Sequence, residues 1–217
     1  MVPKYLLKMN YIEMKKKPNK LEPATPGQQL SSTPGNIDDL IEYEELKNGI
    51  VRIDDNINQY EVTDALQKIN YCIGKGLKNI RVFITSPGGG VYEAFSFYDS
   101  LVGIQKESKA RIIGIVSGYA ASAASMVILQ AFKERWASSN SRLLLHEPRR
   151  FTMFNTERTS EMKESTDEMI TVGEMIYNVL AKRTKKPISA IKKLIERKEV
   201  WMSAQEAKKF GLIDKII

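Results

Sequence analysis

Two residues in this chain carry the chemistry of a nucleophile and its base, Ser122 and His146. Ser122 lies in the stretch Arg111 to Leu129, RIIGIVSGYAASAASMVIL. The run Ile112-Ile113-Gly114-Ile115-Val116 has the pattern of a strand buried on both faces. Ser117-Gly118 interrupts it, and the Ala-rich segment that follows favours helix. The expected arrangement is strand, tight turn and helix, with Ser122 in the first helical turn. Unpaired backbone N–H groups and the positive end of the helix dipole lie there. They suit a nucleophile whose attack creates an oxyanion. The same small residues would also serve a helix packed tightly on its neighbours. His146 is the only histidine and stands in Leu-Leu-Leu-His-Glu-Pro, directly after an expected strand. Its ordinary pKa suits removal of a serine proton near neutral pH. A lone histidine is also commonly a surface or satisfied core residue. The third signal is Ser86-Pro87-Gly88-Gly89-Gly90, where glycines after a strand let another backbone approach and leave N–H groups free. As a phosphate loop this segment lacks both the GK[ST] ending and the GxGxxG spacing.

Several elements must position these residues. Gly49 to Ile53 reads as a strand, and Tyr60 to Gly74 as a helix with Val62, Ala65, Leu66, Ile69 and Ile73 at helical spacing. Asn79 to Thr85 is a second strand and Val91 to Ile104 a second helix. Arg135-Trp136-Ala137 and Arg142 to Leu145 read as short strands. Residues 157–183 form one long helix, with Met162, Met169, Val172, Ile176, Val179 and Leu180 on one stripe. That stripe could pack on another subunit or cover the chain's own sheet. Pro187 opens a further helix, and Ser203-Ala204-Gln205-Glu206 is a capping box for a short one that Gly211 closes. Strands alternating with helices predict an α/β fold with much parallel pairing.

Composition bounds the reading. The 217 residues fit one large domain, or one domain with an extension. Residues 1–37 hold five of the eight prolines and the run Lys15-Lys16-Lys17, the composition of a disordered or extended basic arm. Globular structure is expected over 38–217. The net charge of +7 comes from scattered lysines and that arm, so no nucleic-acid partner is expected. No apolar run approaches the ~20 residues needed to cross a bilayer, and no signal-peptide core is found near the start, so no membrane partner is expected. Cys72 is the only cysteine, which excludes an internal disulfide framework and points to a reducing, cytoplasmic setting. One cysteine and one histidine cannot build a closed zinc site, and neither a metal nor another cofactor is expected.

Together these residues resemble the ClpP serine peptidase family, the proteolytic subunit of Clp protease. The similarity runs from about Gly49 to Ile217. It rests on the Ser-Pro-Gly-Gly turn, Tyr98-Asp99, Gly-x-Ala-Ala-Ser at 118–122, His146 before Pro148, and Ser203-Ala-x-Glu-Ala-x-x-x-Gly-Leu-Ile-Asp214, all in family order. The resemblance implies Ser122 as nucleophile, His146 as general base and an oxyanion hole from the backbone N–H groups of Gly89 and Ala123. It implies contact with a substrate strand at Gly90 and Val91. It also implies a ClpP/crotonase-like fold of repeated ββα units, with the 157–183 helix as a protruding handle that joins stacked rings of a homo-oligomer. Peptides or unfolded proteins would be substrates, and an unfoldase ATPase the partner.

Three departures stand out. The family's triad acid is an Asp, and its slot here holds Glu199, with Glu196 three residues earlier as the rival. The family's Gly-rich segment is replaced by Arg149-Arg150-Phe151-Thr152-Met153-Phe154. The leader is long, basic and rich in proline. These features look like a divergent or phage-encoded relative, such as a head-maturation protease. Crotonase-type acyl-CoA enzymes share the fold but need no Ser/His pair. A non-catalytic ring subunit would typically lack the serine or the histidine.

Overall fold

Runs of Ile and Val set the strands, and periodic apolar stripes set the helices laid on them. A computed structural model of the chain describes residues 37–149 and 159–217. The arm expected over 1–37 lies outside these residues apart from Ile37, as does the Arg150 to Phe154 part of the variant segment. In chain order the elements are α1 (Ile37–Lys47), β1 (Ile50–Ile53), α2 (Gln59–Gly74), β2 (Asn79–Ser86), α3 (Val91–Glu107) and β3 (Arg111–Ala121). A π-helical turn (Ala124–Ile128) and a 3-10 turn (Leu129–Ala131) follow. The rest are β4 (Glu134–Ala137), β5 (Arg142–His146), α4 (Thr159–Thr184), α5 (Ile188–Ile195), β6 (Glu199–Ser203), α6 (Ala204–Phe210) and β7 (Lys215–Ile216). The capping box on α6 forms in full, and Gly211 closes the helix in the left-handed conformation with φ +98.

The strands run β1-β2-β3-β4-β7, all parallel, and β5 pairs with a further part of β3. Among the described residues, only β5 and β6 are antiparallel. The centre is β3, which pairs with β4 through Ile113–Val116 and with β5 through Tyr119–Ala121. Between these two stretches the register with β2 shifts, and Gly118 takes φ +83. A bulge with a left-handed glycine lets one strand serve two neighbours.

This corrects the expected turn at Ser117-Gly118. The strand does not stop there but continues to Ala121, and helical structure begins only at Ala124. Pairing of Ala120 with Leu143 and of Ala121 with Leu144 overrides the helix preference of the alanines. Ser122 is therefore a hinge residue between strand and π-turn.

The core lies between the sheet and helices α2 and α3, with Ile69, Ile80, Ile84, Phe97, Leu101 and Phe132 fully buried. The two sides of α4 differ. Val172, Ile176 and Leu180 are buried in the chain's own core, whereas Ile170 and Met175 are exposed. Ile176, on the stripe that had another subunit or the chain's own sheet as its possible cover, is thus a residue of the subunit's interior. A 3.6-residue period marks an apolar face without saying what covers it. The side chain of Met162 lies outside the described residues.

Candidate active site

Ser122 has φ +54, a left-handed backbone rare for a residue with a Cβ and costing about 1–2 kcal/mol. Its surroundings fix it there. Its N–H donates to the Leu144 carbonyl at 3.1 Å, and its own carbonyl accepts from Ser125 N at 3.1 Å and Met126 N at 2.9 Å. The hinge turns the side chain into a cavity of about 510 Å³ lined also by His146, Gly89, Gly90, Val91 and Ala123. All the residues expected at the site except Glu199 border this one space. Ser125, the neighbouring hydroxyl, is fully buried and donates to the Leu144 carbonyl at 2.5 Å.

The glycine turn is held against the Ser122 hinge from the other side. A Cβ on Gly88 would stand 2.7 Å from the Ser122 Cβ and from the Ala121 carbonyl, and one on Gly89 2.4 Å from the Ile57 carbonyl. Both glycines also have positive φ, so no other residue fits without displacing backbone. The neighbouring N–H groups are engaged. Gly88 N donates to the Ser86 hydroxyl at 3.1 Å and Gly90 N to the Ile57 carbonyl at 2.7 Å. Gly90's carbonyl accepts from Ala94 N at 3.0 Å. Among the described residues, no such partner takes the N–H of Gly89 or Ala123. Two free donors beside a serine are the elements of an oxyanion hole.

His146 ends β5, two residues beyond the Leu144 carbonyl that holds Ser122. Burial pushes its pKa below the ordinary 6.5; the Glu147 carbonyl opposes this, Arg149 adds to it and the Glu199 carboxylate opposes it. The imidazole is thereby kept neutral and able to accept a proton. Its Nδ1 is buried and has no hydrogen-bond partner among the described residues.

Glu199 opens β6 directly across the antiparallel ladder from His146. Residues so opposed have Cβ atoms about 4.5–5.5 Å apart on the same face. The carboxylate is not on the imidazole, however, but pairs with Arg149 at 3.0 Å. Glu196 caps the end of α5 and borders a separate groove with Glu147, Tyr177 and Lys192.

The walls of the Ser122 cavity include Met126, Met169, Val172 and Ile176, so the inner part of the α4 stripe faces the site. Across the cavity the Tyr92 hydroxyl hydrogen-bonds Glu168, tying α3 to α4. Neither Tyr92 nor Glu168 stands out in the sequence, where each reads as a polar position on a helix. Among the described residues, no cluster of His, Cys, Asp or Glu could hold a metal ion, and no helix is long and apolar enough to cross a membrane.

A mostly parallel sheet whose long central strand passes from one neighbour to a second, with helices packed on it, defines a ClpP-like α/β fold. The chain belongs to the Clp protease family, whose profile matches residues 37–217. It is 30% identical over 189 residues to ATP-dependent Clp protease proteolytic subunit 1 of Protochlamydia amoebophila (strain UWE25), covering 86% of this chain and 89% of that one. It is 30% identical over 141 residues to the ATP-dependent Clp protease proteolytic subunit of Porphyromonas gingivalis (strain ATCC BAA-308 / W83), covering 64% of this chain and 60% of the relative. The chloroplastic ATP-dependent Clp protease proteolytic subunit 1 of Arabidopsis thaliana is 33% identical over 145 residues, with 66% and 70% covered.

Proposed function

We propose that the chain is a serine endopeptidase that hydrolyses peptide bonds within a chamber formed by stacked rings of its own copies. The observation that carries the reading is the hinge at Ser122, which brings its hydroxyl, the imidazole of His146 and the free N–H groups of Gly89 and Ala123 around one cavity. In the reaction, His146 takes the Ser122 proton as Oγ attacks the scissile carbonyl. The carbonyl oxygen gains negative charge opposite Gly89 and Ala123. His146⁺ returns the proton to the leaving amine, and water then hydrolyses the acyl-enzyme by the same route. Glu199 is the acid that orients His146 during turnover, from its place across the β5–β6 ladder. The wall of Met126, Met169, Val172 and Ile176 favours an apolar side chain beside the scissile bond. An unfoldase ATPase that delivers unfolded chains is the partner such a chamber requires.

The test is covalent labelling of the full chain with a small uncharged fluorophosphonate, located by mass spectrometry. The adduct should sit on Ser122 and vanish in Ser122→Ala, together with cleavage of peptides bearing Leu or Met before the scissile bond. Cleavage that persists in Ser122→Ala would refute the assignment.

A further inference from the structure

The Arg149–Glu199 pair and the unpartnered Nδ1 of His146 belong to one local competition. Glu199 stands opposite His146 in the β5–β6 ladder, yet its Oε1 lies 3.0 Å from an Arg149 guanidinium nitrogen. His146 Nδ1, the atom a triad carboxylate would meet, is buried with no hydrogen-bond partner among the described residues. A buried polar atom without a partner carries a desolvation cost, so the site as it stands is incomplete. The residue types allow the carboxylate to serve either group. Glu has one more methylene than Asp, and opposed ladder positions leave the imidazole within its reach. The side chains of Arg149 and Glu199 are 61% and 49% exposed, so rearrangement breaks no packed core.

We propose that Arg149 is a positioning residue that holds Glu199 away from His146 and so restrains the catalytic site, release of the carboxylate completing it. The proposal rests on the reading of Ser122 and His146 as nucleophile and base, and adds a control on that site. Among the described residues, the groups facing His146 are Glu147 and Arg149 from the segment after β5, Glu199 from β6, Ser122 after β3, and Glu168 with Tyr92 across the cavity from α4 and α3. Among them Arg149 is the only cation. Its removal both frees a carboxylate for Nδ1 and deletes a positive charge near the ring. Both effects raise the proton affinity of His146, while the oriented imidazole becomes the better base.

The test measures the rate of Ser122 labelling by the same fluorophosphonate against pH, in full-length wild type, Arg149→Ala, Arg149→Lys, Glu199→Gln and Arg149→Ala/Glu199→Gln. In this reaction a Ser–O–P bond forms, fluoride leaves and His146 takes the hydroxyl proton. Because the probe is uncharged, loss of a substrate contact to Arg149 is not read. His146 is the only histidine, which assigns the acid limb to it. Arg149→Ala should label about two- to fivefold faster, the scale that a half-exposed ion pair permits, with the acid limb moved to higher pH. Arg149→Lys should show a smaller gain. In the Glu199→Gln background the Arg149 change should bring no acceleration. Added salt should speed wild type but not Arg149→Ala. Unchanged or slower labelling of Arg149→Ala with an unmoved limb, beside a wild type that labels normally, would overturn this proposal alone. If neither wild type nor Arg149→Ala labels Ser122, the peptidase reading falls and takes the restraint with it.

Discussion

The hydroxyl of Ser125 donates to the carbonyls of Leu144 and Ser122 inside the core, whereas Ser122 borders open space with His146. Ser125→Ala should therefore keep labelling at Ser122 and lose roughly 1 kcal/mol of stability, read by thermal melting. The pH dependence follows from His146. Only the neutral ring can take the serine proton, and burial lowers its pKa from 6.5. The neutral form, and with it kcat/KM, persists below pH 6.5 and is lost as pH falls through the depressed value. A wild-type acid limb at or above 6.5 would contradict this. Glu199→Gln should lower kcat by orders of magnitude at constant fold, since a carboxylate fixes the tautomer of the base. Glu196→Gln, at a different groove, should do little. The sequence makes Ser122 and His146 legible because their chemistry is written in their types. It does not show that Glu199 stands opposite His146. Glu196-Arg197-Lys198-Glu199 looks like a solvated charge run, and only the pairing of β6 with β5 brings its last residue opposite the imidazole. Nor does sequence reveal Arg149 as a rival for that carboxylate, because an ion pair across a loop leaves no periodicity.

At the scale of elements, α4 occupies Thr159–Thr184, close to the 157–183 expected from its pattern. Its two sides differ in what they cover. Val172 and Ile176 are 5% and 4% exposed, against 60% for Ile170 and 40% for Met175. A helix of 26 residues, roughly 39 Å long at 1.5 Å per residue, with large apolar side chains left in solvent is suited to meet another copy. Ile170→Glu with Met175→Glu should reduce the particle mass seen by light scattering while the subunit's melting temperature and circular dichroism hold. Ile176→Glu should instead unfold the subunit, because it buries a charge in the core. A monodisperse monomer from the unmodified chain would remove the basis for both expectations. The elements themselves were largely readable, since α2, β2 and α6 carry strong periodic and capping signals. The extension of β3 beyond Gly118 was not, because β5 supplies from 23 residues away the pairing that keeps Tyr119–Ala121 extended.

At the scale of the whole molecule, the end of the chain is fastened to the turn that follows Ser122. Arg135, 7% exposed in its side chain, meets Asp214 at 2.5 Å and donates a second bond to the same carboxylate at 3.1 Å. Its other nitrogen donates to Gln130 Oε1 at 2.8 Å and to the Gly211 carbonyl at 3.0 Å. Gln130 in turn donates to the Ser125 carbonyl at 2.8 Å. The sequence presents Gly-Leu-Ile-Asp214 only as a pattern; its physical work is to neutralise the buried guanidinium of Arg135 in β4. Burial alone would raise the Asp214 pKa, but the side-chain and backbone hydrogen bonds from Arg135 prevail and hold it below the ordinary 3.8. A carboxyl depressed in the folded state contributes stability that is present in full above its unfolded pKa and is lost as pH falls through the folded one. Asp214→Asn leaves Arg135 buried without its counter-charge. Since Asp214 is 43% exposed, water softens the loss to about 2 kcal/mol rather than the 3–5 of a fully buried pair. At pH 7 the melting temperature should drop by about 4–8 °C. That gap should narrow as pH falls below about 4, where wild type sheds the same contribution by protonation. A gap that stays constant down to pH 2 would show that Asp214 acts through packing and not through its charge.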